Sequence, residues 1–260
     1  MDFSRILYST GDRRATVTLN RPETHNVLDD VAVAELTSAI TMAGRDPAVK
    51  VILLQSKGST FCAGMDPEYL ARITQLDLEV NRQDSLRLAA ALRAIHDLRK
   101  PVIAAVQGPA LGVGAGLASV ADFVIAARDA ATFGFPEVRI GVIPAILLVF
   151  LVKRVGEGKA RELVIRGSAI AADEAQRIGL ASMVVAASKV QSAAQALAEE
   201  LVTMNSANAM GLCKEMLSKL HGMNLPDALD FAANLNAAAR MTVESRSGIG
   251  AFVNKQTREW

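Results

Sequence analysis

The stretch at residues 100–118, KPVIAAVQGPALGVGAGLA, constrains the fold more than any other part of this chain. It opens with an apolar, β-branched run, Val102–Val106, that reads as a buried strand. Gly108, Pro109, Gly112, Gly114 and Gly116 then break the pattern, and an apolar segment resumes at Leu117 and runs to Ala121. A strand, a glycine-rich turn and a helix start leave main-chain N–H groups without partners. Such groups, backed by a helix dipole, suit an anion or a developing oxyanion.

The flanking sequence alternates strands with helices. Residues 5–9 and 15–19 read as two short strands about a Gly11-Asp12 turn. Asp29 and Asp30 can cap a helix whose inner face is Val33, Leu36, Ile40 and Ala43. Residues 49–55 read as a strand and residues 57–66 as a polar loop, while residues 68–81 carry no clear pattern. Asp84 is expected to open a helix with Leu88, Leu92, Ile95 and Leu98 on one side, ended by Pro101. A strand at 122–127 and an irregular loop at 133–141 follow, then helices at 144–155, 158–166 and 172–178. From Ser188 onward the periodicity is helical. Strands alternating with helices imply a largely parallel α/β core of βαβ units. The division expected is an α/β core over residues 1–187 and a helical region over 188–260.

Composition narrows the function classes. A formal charge of +1 supplies no bulk field to draw the chain to nucleic acid or anionic lipid. Two cysteines, Cys62 and Cys213, make no disulfide framework, which points to a reducing compartment, read here as the cytoplasm. The start, MDFSRILYST, lacks the basic and apolar regions of a signal peptide. The most apolar run, 142–152, contains Pro144 and stops at Lys153 and Arg154, so a core helix is expected and no membrane span.

The familiar motifs fail. Gly112-Val113-Gly114-Ala115-Gly116 has Leu117 where a dinucleotide fingerprint needs its third glycine, and neither a phosphate loop nor a Gly-x-Ser-x-Gly elbow is present. His25, His96 and His221 are scattered without metal-ligand spacing, so no metal is expected. Two loops and one carboxylate stand out. The loops are Phe61-Cys62-Ala63-Gly64-Met65-Asp66, after a strand, and the turn from Gly112 to Gly116. Each can supply one N–H to an oxyanion hole, or can simply let chain segments pass closely. Glu137 follows Phe133-Gly134-Phe135-Pro136; a carboxylate among apolar neighbours is either a general acid or base or a salt-bridge partner.

Together these residues resemble the crotonase superfamily, the enoyl-CoA hydratase/isomerase family, over nearly the whole chain. Leu19-Asn20-Arg21-Pro22-Glu23 with Asn26 looks like its first signature, residues 61–66 like its first oxyanion loop and residues 101–118 like its second. Residues 133–137 look like its catalytic-glutamate loop, and Gly248, Ala251, Phe252 and Lys255 like its C-terminal signature. The resemblance implies a core of repeated ββα units with a C-terminal helical part that packs in a homotrimer, often doubled to a dimer of trimers. It also implies an acyl-CoA thioester substrate, with CoA as part of that substrate and no separate cofactor. The thioester oxygen would accept from the N–H groups of Met65 and Val113, and Glu137 would move the proton. Asn20, His25, Ala63, Gly64, Asp66, Gly112, Gly116 and Lys255 would line the substrate.

The departures from the family pattern shape the reaction. Two-glutamate hydratases carry a glutamate where this chain has Gly116, so only Glu137 remains. Val113 replaces the middle glycine of the second loop, so its backbone must avoid positive φ. His25 stands where lysine or arginine is frequent, and Ser247-Gly248 where Glu-Gly is. A single glutamate resembles bacterial methylglutaconyl-CoA hydratases and related dehydratases. The alternatives are a Δ3–Δ2 enoyl-CoA isomerase, in which one glutamate shuttles a proton between α- and γ-carbons, and an acyl-CoA-binding protein without turnover. Leu70, Ile73, Ile143, Leu147 and Phe150 are the expected walls of the acyl pocket.

Overall fold

The computed structural model describes residues 3–256 and residue 260. β1 (Ile6–Gly11) and β2 (Arg14–Leu19) pair antiparallel, and the turn between them is Asp12-Arg13, both at positive φ. Two such residues in a row match the twist of a tight hairpin. A 3₁₀ turn at Pro22–Thr24 leads to α1 (Asp30–Arg45), where Asp29 accepts the Ala32 N–H at 2.8 Å. Val33, Leu36, Ile40 and Ala43 are buried on its inner face, as their spacing predicts. β3 (Val51–Ser56) then lies parallel to β2.

The next segment differs from expectation. Residues 68–81 fold as most of α2 (Pro67–Ile73) and the start of α3 (Leu78–His96). Asp66 caps α2 and Asp77 caps α3, so α3 begins at Leu78 and not at Asp84. The periodicity is weak there because α3 buries only Ala91, Leu92 and Ile95, all in its second half. Asp84 instead accepts a hydrogen bond from the Tyr69 hydroxyl and ties α3 to α2.

β4 (Val102–Val106) is buried throughout and is followed by β5 (Ala110–Leu111) and α4 (Val113–Val120). α4 starts at Val113, not Leu117, so Gly114 and Gly116 lie inside the helix and Gly112 alone makes the turn. β6 (Phe123–Ala127) and β7 (Thr132–Gly134) follow. Pro136–Ile140, expected as an irregular loop, is a 3₁₀ turn. The two helices expected over 144–166 are both present: the span Ala145–Arg166, labelled α5 as a whole, is broken at Gly156 (φ 78°, ψ 161°). β8 (Ile170–Ala171), α6 (Ala172–Arg177) and β9 (Met183–Val185) complete the α/β part. Four helices end the chain: α7 (Val190–Met204), α8 (Ala207–Leu220), α9 (Leu225–Arg240) and α10 (Val243–Val253).

The large sheet has the order β1-β2-β3-β4-β6-β9 and is parallel after the first pair; a small sheet has the order β5-β7-β8. The units β4-β5-α4 and β6-β7-α5 repeat one plan: a strand in the large sheet, a short strand in the small one, then a helix. This is the ββα repeat that the resemblance implies. β3, β4 and β6 read as continuous apolar runs because both their faces are covered. α7 covers one of them, burying Val190, Ala194, Ala198, Leu201 and Val202, so it shares the core of the preceding residues. α9 and α10 bury no residue, and Leu225, Leu229, Val243, Phe252 and Val253 stay exposed. No helix among the described residues is long and apolar enough to cross a membrane; within the apolar run 142–152, Leu147 and Leu151 are buried in α5.

Candidate active site

Three short pairings bring distant loops edge to edge. In the first, Leu28 and Met65 form a parallel bridge: the Leu28 N–H donates to the Gly64 carbonyl and the Asp66 N–H to the Leu28 carbonyl, each at 2.9 Å. This pattern turns the N–H of Met65 itself away from Leu28. In the second, Cys62 bridges Ala110: its N–H donates to the Pro109 carbonyl at 3.1 Å and its carbonyl accepts the Leu111 N–H at 2.9 Å. In the third, β5 pairs with β7, and the Gly112 N–H donates to the Gly134 carbonyl at 2.9 Å. The first loop, the glycine turn and the strand leading to Glu137 are thereby laid side by side.

Glycines permit this closeness at two positions. Gly112 has φ 52° and ψ −120°, which a residue with a side chain rarely adopts. A Cβ there would lie 3.0 Å from the Glu137 Oε1 and 3.7 Å from the Gly64 Cα, so the carboxylate reaches the gap between the two loops. A Cβ on Gly114 would lie 2.3 Å from the Cys62 carbonyl oxygen. Val113 is the first residue of α4, and Gly112 offers no side chain to cap that helix start. At the other end of α4, Arg154 donates to the Ala121 carbonyl at 2.8 Å, a cation where the helix dipole favours one.

Glu137 is half-buried in its 3₁₀ turn, which Gly141 closes at φ 76°. Its Oε2 is buried without a hydrogen-bond partner, and no cation pairs with it among the described residues. Burial raises its pKa above the ordinary carboxylate value, offset in part by its own main-chain N–H. A raised folded-state pKa penalises the fold only when the group is charged. The stability present at acid pH is therefore lost as pH rises through the raised value. Glu137→Gln is expected to raise the melting temperature at neutral pH, and the gain should vanish below the ordinary glutamate range; melting curves of both proteins across pH measure it.

Gly64, Gly112 and the Glu137 carboxylate converge, and Met65 and Val113 are the next residues along the two loops. The other expected substrate residues do not all have free side chains. Asp66 caps α2 through the Glu68 and Tyr69 N–H groups and lies 3.4 Å from Arg21. The Ala63 N–H donates to the His25 carbonyl at 3.0 Å, and His25, exposed at φ 56°, has Nδ1 3.3 Å from the Thr60 hydroxyl. Asn20 is half-buried, with its N–H on the Arg5 carbonyl at 2.9 Å. Lys255 is exposed beyond α10.

Gly116 lies under Leu147: an added Cβ would be 2.6 Å from Leu147 Cδ2. Leu147 thus packs against α4, whereas Phe150 packs on the His96 ring and Ile143 is exposed. Sequence reasoning missed the Leu147–Gly116 contact and the Arg21–Asp66 pair, because each joins residues far apart in the chain.

Over residues 12–260 the chain matches the enoyl-CoA hydratase/isomerase family. A Thermus thermophilus protein whose name places it among the enoyl-CoA hydratases is 38% identical over 242 residues, 93% of this chain and 95% of its own. The 2,3-dehydroadipyl-CoA hydratase of Escherichia coli is 31% identical over 259 residues, 99% of this chain and 98% of its own. The crystal structure of a Mycobacterium smegmatis enoyl-CoA hydratase superposes with a TM-score of 0.93 at 28% identity, covering 99% of each chain. The strand-and-helix repeat, the paired loops and the match along the chain lead to one assignment: this protein belongs to the enoyl-CoA hydratase/isomerase, or crotonase, family.

Proposed function

We propose that the protein hydrates an enoyl-CoA thioester, or dehydrates the corresponding 3-hydroxyacyl thioester, with Glu137 as its one acid–base group. The observation that carries this reading is the unpartnered Glu137 carboxylate at the gap between Gly64 and Gly112. In hydration, the oxygen of water bonds to the β-carbon as the electrons of the double bond move onto the thioester oxygen, and they return to form the bond between the α-carbon and a proton. That oxygen accepts from the Met65 and Val113 N–H groups. Losing one such donor typically costs about 2.7–4 kcal/mol of transition-state stabilisation. Glu137 takes the proton from water and returns it to the α-carbon. Relatives named as a crotonyl-CoA hydratase and a 2,3-dehydroadipyl-CoA hydratase support hydration.

Glycine at 116 with Glu137 kept resembles the pattern of methylglutaconyl-CoA hydratases, and that resemblance favours a branched acyl group such as 3-methylglutaconyl. Main chain at residues 20–26 and 63–66 would hold the CoA portion, with Lys255 reaching it from the C-terminus or a neighbouring subunit. CoA is part of the substrate and no further cofactor takes part. The exposed apolar residues of α9 and α10 would pack in a homotrimer or a dimer of trimers in the cytoplasm.

One observation favours a second reading, Δ3–Δ2 enoyl-CoA isomerisation. Leu147 covers Gly116 with an apolar group, and a proton shuttle between α- and γ-carbons needs no second acid there. A panel of crotonyl, 3-methylcrotonyl, 3-methylglutaconyl and trans-3-enoyl thioesters separates the two. Hydration is expected to remove the ultraviolet band of a conjugated substrate. Gain of that band from the trans-3-enoyl thioester identifies the isomerase, and acyl-CoA binding without either change leaves a binding protein.

A further inference from the structure

We infer that Arg21 is a positioning residue that holds the Met65 amide in place by joining the starts of α1 and α2. This rests on the proposed function, which gives that amide its task. The Arg21 Nη1 lies 3.2 Å from Asp29 Oδ2, 3.4 Å from Asp66 Oδ2 and 3.3 Å from the Val27 carbonyl. The three side chains are 16%, 13% and 15% exposed, so the cluster is screened from water far more than a surface pair. Asp29 caps α1 and Asp66 caps α2, so one guanidinium links two helix starts. It also neutralises two carboxylates brought to the same place; among the described residues only Asp29 has a second cation, Arg5 at 3.1 Å.

The main chain transmits this to the site. Asp66 is the residue after Met65, and its N–H is bonded to the Leu28 carbonyl. With the carboxylate held by Arg21 and by α2, the peptide that follows Met65 is fixed at both its main-chain and side-chain ends. The other end of the loop is held through the same arginine. The Arg21 N–H donates to the Asn26 side chain at 2.9 Å, and the Asn26 amide donates to the Lys57 and Thr60 carbonyls, each at 2.8 Å. Asn26 is 1% exposed, so this second tie is buried. Residues 61–66 are therefore splinted between two anchors at Arg21, its guanidinium at the Asp66 end and its main-chain N–H at the Asn26 end, and a side-chain substitution removes the first alone. Nothing in this arrangement needs Arg21 to touch substrate.

The test compares Arg21→Met and Arg21→Lys with the wild type in enoyl-thioester turnover and in amide hydrogen exchange. Misplacing a reacting group by about 1 Å costs on the order of 10²-fold. Arg21→Met is accordingly expected to lower kcat about 10–100-fold with KM little changed, with partial recovery in Arg21→Lys. The Met65 amide should exchange faster in Arg21→Met while the amides of α4 do not. A raised KM with kcat intact would make Arg21 a contact to the CoA phosphates and overturn the inference, as would unchanged exchange at Met65. Faster exchange at Met65 in a protein whose wild type turns over no enoyl thioester would uphold the positioning role and sink the proposed function instead. Should Arg21→Met not fold, Asp66→Asn carries the same readouts.

Discussion

Replacing Glu137 with glutamine is expected to lower turnover of the enoyl thioester by about 10³-fold while acyl-CoA affinity stays near that of the wild type. Glutamine keeps the size and shape of the side chain, so the gap beside Gly112 is neither opened nor filled. What it removes is a group that can take and return a proton. The described residues offer no substitute: Gly116 has no side chain and Leu147 covers it, while Asp66 is held by Arg21 and by the start of α2. The proposed N–H donors, those of Met65 and Val113, are left in place, so binding is expected to survive and a residual rate to persist. The same change should stabilise the fold at neutral pH, since a half-buried carboxylate whose Oε2 has no partner becomes a neutral amide. Lower activity with higher stability is a pairing that a merely structural glutamate does not produce. A glutamate that held the fold through an ion pair would lose both together. Steady-state kinetics, acyl-CoA titration and melting curves on one preparation decide it; an active Glu137→Gln protein would remove the basis of both proposed reactions.

Parts of the site are legible along the chain because they are local. The run Val102–Val106, the break at Gly112 and the apolar setting of Glu137 each announce themselves within a few residues. The start of α2 is also written locally, as Asp66 followed by Pro67, a cap and a first-turn proline. It is masked because the polar, glycine-containing run before it reads as a loop. The first half of α3 is illegible for a different reason: it buries almost nothing, so no periodicity records it. The extent of α4 is misread because Gly114 and Gly116 look like turn residues by propensity. They are helical because their missing side chains make room for Cys62 and Leu147, residues that arrive from distant parts of the chain. The pairings of residues 28 with 65, 62 with 110 and 111 with 134 have no trace in local pattern, and they assemble the site.

Gly114→Ala tests that assembly, and its outcome runs against helix propensity. Alanine in a helix interior normally stabilises by about 0.5–1 kcal/mol relative to glycine. Here the new methyl would sit 2.3 Å from the Cys62 carbonyl oxygen, 2.8 Å from its Cβ and 3.0 Å from its carbonyl carbon. Cys62 cannot swing aside, since its N–H is bonded to Pro109 and its carbonyl to Leu111. The first loop and α4 must separate instead. Overpacking of this kind costs about 1–3 kcal/mol, visible as a lower denaturation midpoint at unchanged slope. Separation of the loops also moves the Met65 and Val113 amides apart, so kcat is expected to fall on the order of 10²-fold. Gly158→Ala is the control: it lies within α5 and nothing stands within 4 Å of its added methyl. That variant should be as active as the wild type and equally or more stable. If Gly114→Ala behaved like it, the two loops would not be in contact, and no single oxygen could be held by both.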